Sequence, residues 1–376
     1  MESDAKTLIP KAKRIVVKVG SATLCDATGV VKSDWLNSLC SDLISLRKAG
    51  AEILIVSSGA VALGRSILGY SHKSDIVEKQ AASACGQALL IEAWRRAFSI
   101  GDVDVAQILL TLDDTEGRRR YLNARNTIDA LISRGIVPIA NENDTIATSE
   151  IRYGDNDRLA AHVAQLASAD CLLILSDIDG VYTADPRSSE GAVHIPYSKG
   201  VPPELLSLAG GPNATHDISS GGMKTKLEAA KIAAAGGCST VIAQGDILNP
   251  IQRILDGNKA TVIASEDTVE GARRLWIAGR LKPLGSLVVD DGAVKALEGK
   301  SSLLAAGIIR VQGDFNKGDA VQILDKKGVV IGQGLVTMNA LDIEEVKGLQ
   351  TSDLEAVIGF RQRSAIIERR DLVLLK

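Results

Sequence analysis

At 376 residues the chain is too long for one ordinary core, and domain sizes suggest two or three domains. Hydrophobic residues at 45% allow ample burial, but aromatics at 3% require aliphatic cores. A formal net charge of −3 gives no global attraction to nucleic acid or anionic membrane, and no apolar run approaches the roughly 18 residues that span a bilayer.

The start, MESDAKTLIPKAKR, lacks the apolar centre of a secretory signal, so a cytoplasmic location is expected. RIVVKVG (14–20) reads as a strand in which Lys18 is costly to bury unless it meets an anion. Either Lys18 snorkels from an edge strand, or it faces a phosphate over the close-approaching backbone of Gly20-Ser21. Ser33 is expected to cap a helix carrying Leu36, Leu39, Leu43 and Leu46 on one stripe, stopped by Gly50. EILIVS (52–57) is a second strand, and Ser58-Gly59-Ala60 turns straight into a helix, pointing amides at whatever lies above the sheet. Neither a GxGxxG fingerprint nor a Walker A string is present; Gly299-Lys300-Ser301 has Val294 where the first glycine should stand.

An Ala-rich helix is expected over 74–99, a third strand over 103–110, and a loop and helix up to 135. The run Arg118–Arg120 follows Asp113, Asp114 and Glu116, which suits a solvated helix start better than a nucleic-acid patch. GIVPIA then opens the stretch that organises the rest, NENDTIATSEIRYGDND (141–157). A strand ends, some seventeen polar residues cross the surface, and a helix begins near Gly154-Asp155. Loops that long are uncommon unless functional, and ligands of open α/β sheets bind beyond strand carboxyl ends. Helix capping accounts for one or two of the carboxylates at 155–157 but not for Asn141, Glu142, Asn143 and Asp144.

CLLILS (171–176) is another strand, with Asp177 and Asp179 flanking a turn at Gly180. Five prolines in 182–217 describe a lid or wrapping loop rather than packed core. SSGGMKTKLEAAKIAAAGG (219–237) is a Gly-rich entry to a helix whose first turn carries Lys224 and Lys226. Cations there oppose the helix dipole unless an anion lies between them and the amides. Strands at 240–245 and 261–265 complete a strand–helix alternation that demands a largely parallel sheet with helices on both faces. From 283 short strands alternate with Gly-Asp, Lys-Gly and Gly-Gln-Gly turns, a separate β-rich domain linked through WIAGRLKP. The expected division is a catalytic domain at 1–270, a linker at 271–282 and a small domain at 283–365. Five scattered cysteines (Cys25, Cys40, Cys85, Cys171, Cys238) without a CxxC pair, and four histidines without zinc-like spacing, give no protein-built metal site. Sequons at Asn143 and Asn213 carry no meaning for glycosylation in a cytosolic chain.

KVGSA, VSSGAVALGR, YLNARNT, PIANENDTIAT, GDND, SDIDGVYTADPR and SGGMKTK, in this order, resemble the glutamate 5-kinase family of the amino-acid kinase superfamily. The tail with SSLLAAGI and GDFNKGD resembles the PUA domain of bacterial members. The resemblance covers nearly the whole chain. It implies an α/β three-layer sandwich around a mostly parallel sheet, followed by the β-rich PUA domain. It also implies phosphorylation of the L-glutamate γ-carboxylate by ATP with Mg2+, giving L-glutamyl 5-phosphate, the first step of proline biosynthesis. On the matching positions it implies an ATP site at Lys18, Gly20, Ser176, Asp177, Ser220, Gly221, Gly222, Met223, Lys224, Thr225 and Lys226. The glutamate site falls at Ser58, Gly59, Ala60, Asp144 and Asn156. Lys18 and Lys226 would flank the transferring phosphoryl and Asp157 would orient them. Three departures from the family pattern are mild: Ser21-Ala22 for the commoner Thr-Ser, Ser176 for Thr, and Ser220 for Thr.

The chemistry suits these residues, because a γ-carboxylate with a reference pKa of about 4.3 is already ionised at neutral pH and needs no general base. Feedback inhibition by L-proline, hand-off to glutamyl-phosphate reductase and a homo-oligomer (dimer or tetramer) are further implications of the family. Two alternatives differ in class. One is an amino-acid kinase acting on aspartate, acetylglutamate, carbamate or a nucleotide, which a substrate panel separates. The other is an RNA-binding protein, since PUA domains commonly serve that role. Against RNA, the part from 280 carries 14 Lys+Arg against 13 Asp+Glu, with Phe315 and Phe360 its only aromatics.

Overall fold

The computed structural model describes residues 4–70, 75–116, 118–146, 155–208, 222–280, 282–350, 352–353 and 365–375. The chain forms two compact units, one of Met1–Glu116 with Asn123–Val269, the other of Gly117–Leu122 with Glu270–Lys376.

The first unit opens with α1 (Ala5–Lys11), whose free Thr7 amide is capped by the Asp4 carboxylate. Strand β1 (Arg14–Val19) runs into a single helical turn, α2 (Ser21–Leu24). Helix α3 (Ser33–Lys48) buries the stripe of Leu36, Leu39, Leu43 and Leu46. Ser33 does not cap it: Lys32 holds the cap position without a side-chain bond, and the Ser33 hydroxyl turns back to the Val31 carbonyl. Strand β2 (Glu52–Ser57) passes through Ser58-Gly59 into α4 (Ala60–Leu68), and α5 (Ile76–Phe98) starts on a capping box of Asp75 and Glu78. Next come β3 (Val105–Leu110), the short α6 (Leu112–Glu116), α7 (Arg118–Ile132) and β4 (Val137–Glu142). The long polar stretch therefore begins as strand, with Asn141 and Glu142 still in β4, and its far end is α8 (Asp155–Leu166). Strand β5 (Cys171–Ser176) is buried throughout.

The described part of the expected wrapping loop holds β6 (Val181–Tyr182), β7 (His194–Ile195), β8 (Tyr197–Lys199) and α9 (Pro203–Leu208). Prolines mislead here because Pro196 stands just before an edge strand, where the missing N–H is not needed, while its carbonyl accepts from Val262 N. Then follow α10 (Met223–Ala235), β9 (Ser239–Gln244), α11 (Pro250–Leu255) and β10 (Ala260–Ala264). The eight-stranded sheet has the order β3-β4-β2-β1-β5-β9-β10-β8, parallel throughout except between β9 and β10. Strands buried on both faces require a helical layer on each side. Ile15, Val17 and Val19 join the core completed by Leu39, Leu43, Leu90 and Trp94 of α3 and α5. The alternate residues of β1 face α8 and α10.

In the second unit the expected linker is helical up to Arg280, as α12 (Val269–Arg280), with Ile277 fully buried. Its other elements are β11 (Gly285–Val289), α13 (Asp291–Glu298), β12 (Leu303–Leu304), β13 (Ile308–Gly313), β14 (Ala320–Leu324) and β15 (Val330–Leu335). Helix α14 (Ala340–Val346), β16 (Ala365–Ile367) and β17 (Leu372–Leu374) complete it. A five-stranded sheet of order β13-β11-β14-β15-β17 packs Leu287, Val289, Val321 and Ile323 against Phe315 and Ile343. Leu122, from the 117–122 segment, packs with Ile277, Ala320 and Leu335 of the same unit.

Candidate active site

Alternation along β1 sends Lys18 to the face where α8 and α10 begin, and the first turns of both helices meet it. Lys18 Nζ lies 2.6 Å from Asp157 Oδ1, and Lys226 Nζ lies 3.4 Å from Asp157 Oδ2. All three side chains are buried, Asp157 completely. Lys18 is therefore no snorkelling edge residue, for β1 sits between β2 and β5. Burial alone would raise the Asp157 carboxyl, but the Lys18 and Lys226 ammoniums hold it below its ordinary value. Burial pushes the Lys226 ammonium down, and Lys18 adds repulsion, against the attraction of Asp157. One carboxylate between two ammoniums leaves the trio net positive in a place where water is scarce, which favours an arriving anion.

Amides surround that charge. Helix α10 has Gly222 at its cap position, and no side chain among the described residues caps its leading N–H groups. Thr225 Oγ1 lies 3.0 Å from Asp157 Oδ2 and 2.8 Å from the Gly222 carbonyl, tying the turn to the carboxylate. Met223 is half-buried and Lys224 exposed in the same turn. Gly20 precedes α2, with Lys18 Nζ at 3.6 Å from where its Cβ would stand. At the end of β5, Ser176 Oγ donates to Asp177 Oδ1 at 3.1 Å, and Arg187 Nη2 pairs with Asp177 Oδ2 at 2.7 Å. Ser220 and Gly221 lie outside the described residues.

A second half adjoins on the neighbouring residue of α8. Asn156 Nδ2 donates to Ser58 Oγ at 2.6 Å and to Asn141 Oδ1 at 3.4 Å, while its carbonyl oxygen is buried with no hydrogen-bond partner among the described residues. A buried acceptor left open is costly, and a ligand donor would satisfy it. Gly59 takes φ +124° before Ala60 opens α4, a conformation that excludes other residues there, and no side chain caps that helix either. Asp144 accepts from Ser83 Oγ at 2.7 Å. Consecutive residues of one helical turn, Asn156 and Asp157, thus join the two halves. Ser83 and Gln87 of α5 belong to this region and were not anticipated; their only signal is polarity at i,i+4 in the otherwise small and apolar stretch 81–91 of that helix.

Among the described residues no three His, Cys, Asp or Glu side chains gather to hold a metal ion, and Asp157 is committed to two lysines. A divalent ion at this site fits only if phosphate oxygens supply most of its ligands. Among the described residues no helix is long and apolar enough to cross a membrane.

Residues 13–244 match the amino acid kinase family model, and residues 285–358 match the PUA domain. Curated relatives include the glutamate 5-kinase of Caulobacter vibrioides, 50% identical over 96% of this chain and 97% of its own length. The glutamate 5-kinase of Paramagnetospirillum magneticum is 48% identical over 96% and 98% of the two chains, and that of Agrobacterium fabrum 47% over 96% and 92%.

Proposed function

The chain belongs to the glutamate 5-kinases of the amino acid kinase family, and from this we propose that it phosphorylates L-glutamate with ATP at the site just described. The γ-carboxylate oxygen attacks the γ-phosphorus, a new O–P bond forms, and the bond to the ADP oxygen breaks. The products are L-glutamyl 5-phosphate and ADP, and the step opens proline biosynthesis from glutamate. The observation that carries the assignment is the Lys18–Asp157–Lys226 trio, two cations held apart on one buried carboxylate.

Catalysis of phosphoryl transfer is largely alignment of anions and neutralisation of charge on the migrating group. Lys18 and Lys226 flank that group, Asp157 fixes both ammoniums, and the uncapped start of α10 cradles phosphate oxygens. Ser176 and Asp177 support the nucleotide from the end of β5. Ser58, the Gly59-Ala60 amides, Asn156 and Asp144 bind glutamate. Mg2+ held largely by phosphate oxygens would supply further neutralisation of their charge. The enzyme works in the cytoplasm as a dimer or tetramer. L-proline inhibits it at the glutamate half, and the labile acyl phosphate passes quickly to glutamyl-phosphate reductase. Hydroxylamine traps acyl phosphates, so hydroxamate should form only with glutamate and ATP together. Hydroxamate from aspartate or acetylglutamate at equal efficiency would reject the substrate assignment.

A further inference from the structure

Helix α5 brings two buried polar side chains against the root of the glutamate half. Ser83 is fully buried, and Gln87, one turn later, is 7% exposed. Ser83 Oγ donates to Asp144 Oδ2 at 2.7 Å, and Gln87 Nε2 donates to the Glu142 carbonyl at 3.4 Å. The Gln87 amide is oriented from β3, because its Oε1 accepts from Gln107 Nε2 at 2.9 Å. A serine inside a helix usually returns its hydroxyl to the preceding turn or shows it to water. This one is committed to a carboxylate on a chain segment that has just left the sheet. The approach is possible because α4 and α5 touch through glycines: a Cβ on Gly64 would stand 1.7 Å from the Ala82 carbonyl, and one on Gly86 1.8 Å from the Ala60 carbonyl.

Glutamate carries one cation, its α-ammonium, and Asp144 is the only carboxylate among the residues assigned to bind it. A hydroxyl bonded to a carboxylate at this length is charge-assisted and directional. We propose that Ser83 is a positioning residue for glutamate: it holds the Asp144 carboxylate in the orientation that receives the α-ammonium, while Gln87 ties the Glu142 backbone just before it to α5. The proposal rests on the assignment of Asp144 to glutamate binding.

The test is a double-mutant cycle in the full chain, with steady-state kinetics and melting curves for Ser83→Ala, Asp144→Ala and the pair. Ser83→Ala should raise the glutamate KM about tenfold, the loss of one hydrogen bond to a charged group, with kcat and the ATP KM unchanged. In the Asp144→Ala background the same substitution should add nothing, since it acts only through that carboxylate. Equal penalties in both backgrounds, or an unchanged KM in the single variant, overturn the proposal while leaving the site assignment standing. An Asp144→Ala enzyme with normal glutamate KM overturns both. Should Ser83→Ala fail to fold, Ser83→Cys keeps the volume with a weaker donor. An intermediate KM then supports the role, and a wild-type KM overturns it.

Discussion

Lys226 and Asn156 sit in the first turns of different helices, and their surroundings make different failures of their alanine variants. Lys226 lies where charge develops on the migrating phosphoryl, so Lys226→Ala should lower kcat by about a hundredfold or more with little change in KM. Asn156 meets glutamate in ground and transition state alike, so Asn156→Ala should mainly raise the glutamate KM, by roughly tenfold to a hundredfold. A Lys226→Ala enzyme with intact kcat and weak ATP binding would make that lysine a nucleotide anchor. The pH dependence follows from the burial that depresses Lys226. Its charged form is the active one, and it is lost as pH rises through the lowered pKa. The alkaline limb of kcat/KM for ATP, which reports the free enzyme, should therefore lie below the ordinary lysine value of about 10.4. Bound phosphates favour the cation, so the limb of kcat should lie at higher pH. Asp157→Asn removes the attraction that opposes the depression, which should move the kcat/KM limb further towards acid; a limb unmoved by this change would show that another group titrates. Lys18 was legible as an anomaly, a charge in a β-branched run. Its partner Asp157 was reached only through the family resemblance, because tertiary packing alone brings it to Lys18.

At the scale of elements, periodicity located the strands well: EILIVS and CLLILS coincide with β2 and β5. It failed where chemistry is not periodic. Ser33 looks like a cap but is already helical, and the proline-rich stretch after 182 contributes β8 to the edge of the main sheet. The glycine contact of α4 with α5 was equally invisible, since Gly64 and Gly86 read as weak points of two helices. Both are close approaches to backbone, which cannot move aside as a flexible side chain can. Gly86→Ala should therefore destabilise at the upper end of the about 1–3 kcal/mol typical of overpacking. At about 2–4 °C per kcal/mol, Tm should fall by several degrees. It should also raise the glutamate KM, because it pushes Ser83 away from Asp144 and displaces Ala60. Gly191→Ala, where a Cβ meets nothing within 4 Å, is the matched control and should leave both unchanged. Equal melting temperatures for the two variants would mean that the α4–α5 contact relaxes freely.

The whole molecule forms two compact units, Met1–Glu116 with Asn123–Val269 and Gly117–Leu122 with Glu270–Lys376. Composition registers the change of texture at 283, but it has no means of registering that Gly117–Leu122 belongs to the second unit. Leu122 is buried there and Tyr121 half-buried; Tyr121 bonds Arg273, which pairs with Asp371, and Leu122 touches Ile277, Ala320 and Leu335. Every residue proposed for the site belongs to the first unit, so a chain ending at Arg280 should still form glutamyl hydroxamate with nearly unchanged KM values. Its solution behaviour should change, because the cut removes Ala320, Leu335 and Asp371 and uncovers Leu122. The cost of a Leu122→Ala substitution then depends on context. In the full chain it removes a buried side chain and should cost about 2–5 kcal/mol. In the truncated chain the same side chain keeps only Ile277 of these neighbours, so its loss should lower Tm less than in the full chain and reduce self-association at high protein concentration. Thermal melting and light scattering on the four proteins check this. Equal destabilisation by Leu122→Ala in both lengths would place the packing of Leu122 within the first unit alone and discard the division at 117–122.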